Sequence, residues 1–207
     1  MIHNPPTVFR FHVALAAGAL ALSLMLPAAA ARAAADPGAF VAKISTQGIA
    51  ALGPDVPSAE RVERFSRLLR NDFDVDGIGA FALGRYRRMA TTQEQQEFLE
   101  VYPAFTARAL SLRLDDFSGA SVRVIGCAIS DGETVVSTEV TRRDGSRVPF
   151  DWHLTANEGG YKIVDIAVGG VSMRLALRNQ FAAWIENNGG RFDALLAVLR
   201  QEIAALN

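Results

Sequence analysis

Beyond residue 36 the apolar positions change their period twice. From Phe40 to Leu112 they recur every three or four residues, from Ser121 to Val168 they alternate, and from Leu175 to Ile203 the helical spacing returns. Phe40, Ile44, Gly48, Ile49 and Leu52 form the first helical stripe. A second stripe, Val62, Phe65 and Leu69, is predicted to start from a cap at Ser58 and to end near Asn71. Phe73 to Asp76 reads as a turn, and Ile78 to Gly84 as a short apolar helix. Thr91 and Glu94 have the spacing of a capping box, in which hydroxyl and carboxylate each satisfy a backbone N–H left open at a helix start. The helix they open presents Phe98, Val101, Tyr102, Phe105, Ala109 and Leu112, and Pro103 within it predicts a kink or a break.

The alternating block divides into four strands, Ser121 to Ile129, Glu133 to Arg142, Arg147 to Leu154 and Tyr161 to Val168. Asp131-Gly132, Asp144-Gly145 and Gly159-Gly160 separate them, which makes an antiparallel meander of hairpins. On the third strand Val148, Phe150, Trp152 and Leu154 share one bulky face, while Pro149, Asp151 and His153 share the other. Register decides which face is buried, because a slip of one residue exchanges the two. Ser172 then caps a helix with Leu175, Phe181 and Ile185, which Asn187 to Gly190 stop, and Phe192, Leu195, Leu196, Leu199 and Ile203 mark the last helix. Helices, then strands, then helices is an α+β order. The expected architecture is one curved four-stranded antiparallel sheet against five or six helices.

The first 35 residues fall outside this pattern and read as a secretory signal. Arg10 and His12 precede the apolar run Val13 to Leu26, and Ala31-Arg32-Ala33 and Ala33-Ala34-Ala35 both offer small-x-small cleavage sites. The run falls short of the about 20 residues a spanning helix needs. Cleavage before Asp36 would leave residues 36–207 as one domain, exported and soluble. The formal net charge is −1 and becomes more negative once Arg10 and Arg32 are removed, with no basic cluster, so nucleic acid is not the expected partner. Cys127 is the one cysteine and cannot form an internal disulfide; it is expected to be a small buried hydrophobe in a strand.

Little catalytic chemistry is available. Of three histidines His3 and His12 lie in the leader, which leaves His153, read as a surface strand residue, and rules out a Cys/His zinc site within one chain. HExxH, Walker A and GxSxG motifs are absent. A Cys127–His153 dyad would lack a group to orient its base. Asp151 and Asp165 are the remaining candidates, with Asp165 either a cavity base or, on the reading we favour, a buried partner of Arg178. Asp72, Asp74 and Asp76 lack the glycine and final Glu of a calcium loop and mark a helix-end turn. No metal site and no cofactor is expected.

Four groups of residues occur in an order and spacing that resemble one family. They are Phe73-Asp74; Gly84-Arg85-Tyr86-Arg87 with Thr91-Thr92-Gln93-Glu94-Gln95 and Phe98; Asp151-Trp152 with Tyr161-Lys162-Ile163-Val164-Asp165; and Gly170-Val171-Ser172 with Arg178-Asn179-Gln180-Phe181. Together they resemble the MlaC and toluene-tolerance family of periplasmic phospholipid-binding proteins, auxiliary components of ABC transporters, with hopanoid-associated relatives. Arg87 stands where an aromatic residue is commoner in the family.

The resemblance implies an NTF2-like α+β fold enclosing an apolar cavity that holds a phospholipid by its acyl chains. It also implies transport between an outer-membrane lipoprotein–porin complex and an inner-membrane ABC transporter carrying a lipid-binding ring, in support of outer-membrane asymmetry and without enzymatic activity. We expect a monomer. The cavity is expected to draw on Phe150, Trp152, Leu154, Val164 and Ile166 from the sheet. The helices are expected to supply Phe73, Phe81, Leu83, Phe98, Val101, Tyr102 and Phe105. Arg85, Arg88 and Arg178 are candidates for the head-group phosphate. A hopanoid-type ligand, and an NTF2-like enzyme using a cavity aspartate, are the alternatives.

Overall fold

The computed structural model describes residues 36–130 and 132–205. The leader expected at residues 1–35 and Asp131 of the first hairpin turn lie outside them. Helix α1 (Pro37–Ala51) begins at Asp36, whose carboxylate accepts from the Gly38 amide at 2.8 Å, with Pro37 in the first turn where no N–H is missed. Helix α2 (Ser58–Asp72) follows, then α3 (Val75–Leu83) running into a 3₁₀ turn at Gly84–Arg88. Helix α4 (Thr92–Arg113) is the longest, and a second 3₁₀ turn, Asp115–Phe117, leads into the sheet. Strands β1 (Ser121–Ser130), β2 (Glu133–Thr141), β3 (Arg147–Asn157), β4 (Gly160–Val168) and β5 (Val171–Ser172) form one antiparallel sheet in the order of the chain. Helices α5 (Met173–Asn187) and α6 (Phe192–Ala205) complete the fold.

The α+β class therefore stands, with five strands instead of four. The added strand is the Val171–Ser172 step, which pairs with Ala167 and Val168 because Gly169 and Gly170, at φ 58° and 82°, fold the chain sharply back. Three local expectations are corrected. Ser58 is the first residue of α2 and not its cap; Pro57 holds the cap position, and its carbonyl accepts the Arg61 amide at 2.9 Å. Pro103 does not break α4, which runs through it. The carbonyl that loses its partner belongs to Leu99, an exposed residue that solvent can serve. Cys127 does lie in a strand, but exposed, because β1 is the open edge of the sheet and every residue from Arg123 to Ser130 is exposed there. Leu112 and Leu175 also face outward.

Two hydrophobic cores organise the packing. In one, the inner face of the sheet, with Val136, Val140, Leu154 and Ile163, meets Val41, Ile44 and Leu52 around α1 and Phe65 and Leu69 from α2. In the other, α3 to α6 close around Phe98, Tyr102, Phe105, Phe181, Phe192 and Leu195. Its centre is a set of interlocked rings. Phe98 stacks on Tyr102 at 5.2 Å and meets Phe181 edge-on at 5.9 Å, and Trp184 meets Phe105 edge-on at 5.9 Å. These are the offset and T-shaped arrangements that aromatic quadrupoles favour.

The capping box of α4 is complete: Thr91 Oγ1 accepts from the Glu94 amide at 3.2 Å, and Glu94 Oε2 accepts from the Thr91 amide at 2.7 Å. Replacing Thr91 by Ala is expected to lower stability by about 1 kcal/mol. Urea unfolding should show this as a lower midpoint at unchanged slope, and Glu94→Ala on top should add little, since both halves serve one motif.

Candidate functional site

Between the two cores lies a cavity of about 360 Å³. Its sheet wall follows from register. Phe150 pairs with Thr138 and Val168, and Trp152 with Val136 and Ile166, so these residues share the inner face. The Trp152 indole N–H donates to Thr138 Oγ1 at 3.0 Å, and the Thr138 hydroxyl donates to the Phe150 carbonyl at 3.3 Å. Every polar group of that patch is thus satisfied within the sheet, and the ring faces remain for the cavity. Phe150 stacks on Trp152 at 6.3 Å and takes the edge of Phe117 at 5.5 Å.

The helical walls come from α1, α2, α4 and α5, with Ile78 from α3. On α1 and its C-cap, Ile44, Gly48 and Leu52 fall on one face by their four-residue spacing, and all three line the cavity. A Cβ placed on Gly48 would meet nothing within 4 Å. The glycine in the stripe therefore leaves space that any side chain would occupy.

Half of the residues assigned to the cavity from the sequence line it: Phe73, Tyr102, Phe105, Phe150, Trp152 and Ile166. The rest are placed elsewhere, for identifiable reasons. Leu83, at the end of α3, faces the helical core, as do Phe98 and Val101, because α4 is packed on more than one side and its apolar stripe divides between core and cavity. Leu154 is fully buried in the sheet core, outside the cavity wall. Val164 is displaced by a bulge: His153 pairs with Asp165 but Leu154 pairs with Ile163, so Val164 is the extra residue and Ile163 takes the inward place. Phe81 lies under the guanidinium groups of Arg174 and Arg178, whose central carbons sit 5.0 and 5.3 Å from its ring centroid. Sequence reasoning missed much of the α1 and α2 wall and the α5 wall, including Ile44, Gly48, Leu52, Phe65, Met173 and Leu177. The stripes themselves were visible; which stripe meets a void was not.

The polar part of the wall is confined. Among the described residues the charged lining groups are Asp165 and Arg174, and Gln180 lies on the same helix as Arg174. Elsewhere the wall is apolar apart from Ser45, Tyr102 and Thr106, and the Ser45 hydroxyl is buried without a hydrogen-bond partner. Asp165 is 4% exposed and heavily used. It accepts from the Ser172 hydroxyl at 2.5 Å, from the Arg174 amide at 2.9 Å and from the Ile166 amide at 2.8 Å. Its ionic partner is Arg174, whose Nε is 3.5 Å away, and not Arg178 as the sequence suggested. Arg178 is one helical turn further along and points to Phe81 instead. Asp151 accepts from the Ser137 hydroxyl at 2.6 Å on the outer face of the sheet, and His153 Nδ1 lies 2.9 Å from Glu133 Oε2.

The three candidate head-group arginines are all exposed. Arg85 is already engaged by Glu186 at 2.6 Å and by the Tyr86 hydroxyl at 2.8 Å. The Tyr86 hydroxyl and Arg85 together hold the Glu186 carboxyl below its usual range. Arg88 and Arg178 have no ion-pair partner among the described residues. No group of three or more His, Cys, Asp or Glu among the described residues could hold a metal ion, and no helix among them is long and apolar enough to cross a membrane.

A five-stranded antiparallel sheet and helices that together wall an apolar cavity with one polar end define an α+β protein with an internal binding cavity. The chain belongs to the MlaC family, whose profile, described as MlaC protein, matches residues 46–201. The toluene tolerance protein ttg2D of Pseudomonas putida is 25% identical over 144 residues, which span 69% of this chain and 67% of that protein. The same fold is seen in a solved structure from Ralstonia solanacearum, a phospholipid-binding protein in complex with a phospholipid. The TM-score is 0.68 at 23% identity, over 83% of this chain and 99% of that one.

Tyr102 reports on the cavity wall. Burial pushes its phenol up to about 12, partly opposed by a hydrogen bond with Thr106. The folded state holds that proton more tightly than the unfolded chain, whose tyrosines titrate near ~10. This contribution to stability is therefore fully present below pH ~10 and declines as pH rises towards about 12. Melting temperatures measured between those values should fall less steeply in Tyr102→Phe than in the parent protein.

Proposed function

We propose that the mature chain, freed of residues 1–35, is a periplasmic carrier that encloses the acyl chains of a phospholipid in this cavity. It carries the lipid between an outer-membrane lipoprotein–porin complex and an inner-membrane ABC transporter with a lipid-binding ring. The observation that carries the reading is the division of the cavity wall: among the described residues it is charged only at Asp165 and Arg174, on the β4–α5 side, and elsewhere it is apolar apart from Ser45, Tyr102, Thr106 and Gln180. An amphiphile fits such a wall in one orientation. Family membership and the phospholipid bound by the Ralstonia solanacearum protein support the same reading.

The energetics explain why a shallow site would not serve. A diacyl lipid presents on the order of 30 methylenes, and at about 0.8 kcal/mol each their exposure to water costs roughly 25 kcal/mol. A protein that moves such a molecule through an aqueous compartment must enclose most of that surface. Binding without catalysis is supported by Asp165, the one carboxylate lining the cavity among the described residues. Both its oxygens are committed to donors in β4, β5 and α5, which leaves it unsuited to accept a substrate proton.

Native mass spectrometry of the protein purified from a bacterial periplasm, followed by organic extraction, tests the function directly. A stoichiometric phospholipid adduct is the expected result. A mass without adduct that stays unchanged after incubation with liposomes would overturn the carrier reading. Gly48 supplies a second check. Gly48→Ala should stabilise α1 by up to about 1 kcal/mol, since glycine is the poorer helix former. Gly48→Phe should retain the fold, fill the cavity and lower lipid occupancy several-fold in the same spectra.

A further inference from the structure

We infer that Arg178 and Arg174, both stacked on the ring of Phe81, form a receptor for a phosphate group at the polar end of the cavity. The inference rests on the carrier reading and deepens it by giving the charged end of the ligand a partner.

The two arginines lie four residues apart on α5 and so project from one face of the helix. Their guanidinium carbons stand 5.0 and 5.3 Å from the centroid of the same phenyl ring. Contact with a ring face positions a guanidinium while leaving its N–H edges open to planar acceptors. Arg174 itself lines the cavity. Its ion pairs are loose, 3.4 Å to Glu133 Oε1 and 3.5 Å to Asp165 Oδ2, where a well-formed charge-assisted bond measures about 2.7–2.9 Å. Both carboxylates are better served by other donors, Glu133 by His153 Nδ1 at 2.9 Å and Asp165 by the Ser172 hydroxyl at 2.5 Å. Arg174 therefore keeps N–H groups for a further anion.

Arg178 has no carboxylate partner at all among the described residues. Its place is set by packing, on Phe81 and against the backbone at Gly84, where an added Cβ would come within 3.1 Å of Arg178 Nε. An exposed arginine fixed in position with its charge unbalanced is the state that a phosphate can neutralise without first breaking an existing pair. Glu133 and Asp165 offset Arg174 but not Arg178, so Arg178 carries the larger share. Arg85 is spent on Glu186 and Tyr86 and has no part in the receptor.

The test compares two lipids with identical acyl chains, phosphatidylglycerol and diacylglycerol, titrated into delipidated mature protein. The parent should bind the phosphatidylglycerol at least about tenfold more tightly, as expected for hydrogen bonds to a charged group. Arg178→Gln should lose most of that preference and Arg174→Gln/Arg178→Gln all of it, with an unaltered circular dichroism spectrum as the check on folding. Equal affinity of the parent for both lipids, or an equal loss of both in the double variant, overturns the receptor. A parent that binds neither lipid sinks the carrier reading instead. Millimolar orthophosphate then decides the receptor alone: thermal protection that the double variant lacks supports it with free phosphate as ligand, and no protection overturns it.

Discussion

An apolar void must be kept from closing. Cavities cost stability in proportion to their volume, and side chains around them relax inward wherever the backbone permits. Here the walls belong to two cores, each closed without the cavity. The ring cluster of α3 to α6, with Phe181 and Leu195 fully buried, holds α4 and α5 in place from one side. The sheet core, with Val136, Leu154 and Ile163 fully buried, holds the strands and α1 from the other. Helix α4 belongs to both, since Tyr102 and Phe105 pack into the ring cluster while Ala107 and Leu110 pack into the sheet core. Collapse would require one core to give up contacts already made.

The cavity floor is rigid for a second reason. Trp152 is fixed by the hydrogen bond of its indole to Thr138, so its ring cannot swing into the space without losing a buried polar partner, and Phe150 is held by stacking on Trp152 and by the edge of Phe117. Gly48, also in the wall, contributes no side chain. The volume is thus the joint product of large residues that are tethered and a small one that is absent.

Orientation comes from the β4–α5 junction. Asp165 gathers the Ile166 and Arg174 amides and the Ser172 hydroxyl, which ties the end of the sheet to the first turn of α5 and satisfies backbone donors that the helix start leaves open. This junction places Arg174 in the wall and sends Arg178 to Phe81. Exposed Val171, Met173 and Leu175 surround it, with Met173 also reaching the cavity. The one charged stretch of the wall thereby lies beside an apolar patch of surface.

Local signals were legible where one residue's chemistry settles the matter. The Thr91–Glu94 box, the Ser172 cap, the hairpin glycines and the inward face of β3 all depend on neighbours close in sequence or on simple alternation, and the α+β order follows from them. The family was legible too, through short groups in register along the chain. Tertiary structure decided the rest. A bulge at Val164 exchanged the inward residue of β4, because strand pairing is set by the partner strand and not by the strand itself. Cys127 is exposed because burial depends on which strand ends at an edge. Phe98 and Phe105 have the same chemistry and share one helix, yet only Phe105 faces the cavity. An apolar stripe records that a surface avoids water. Whether it meets other side chains or an empty space is settled only when the second wall is in place.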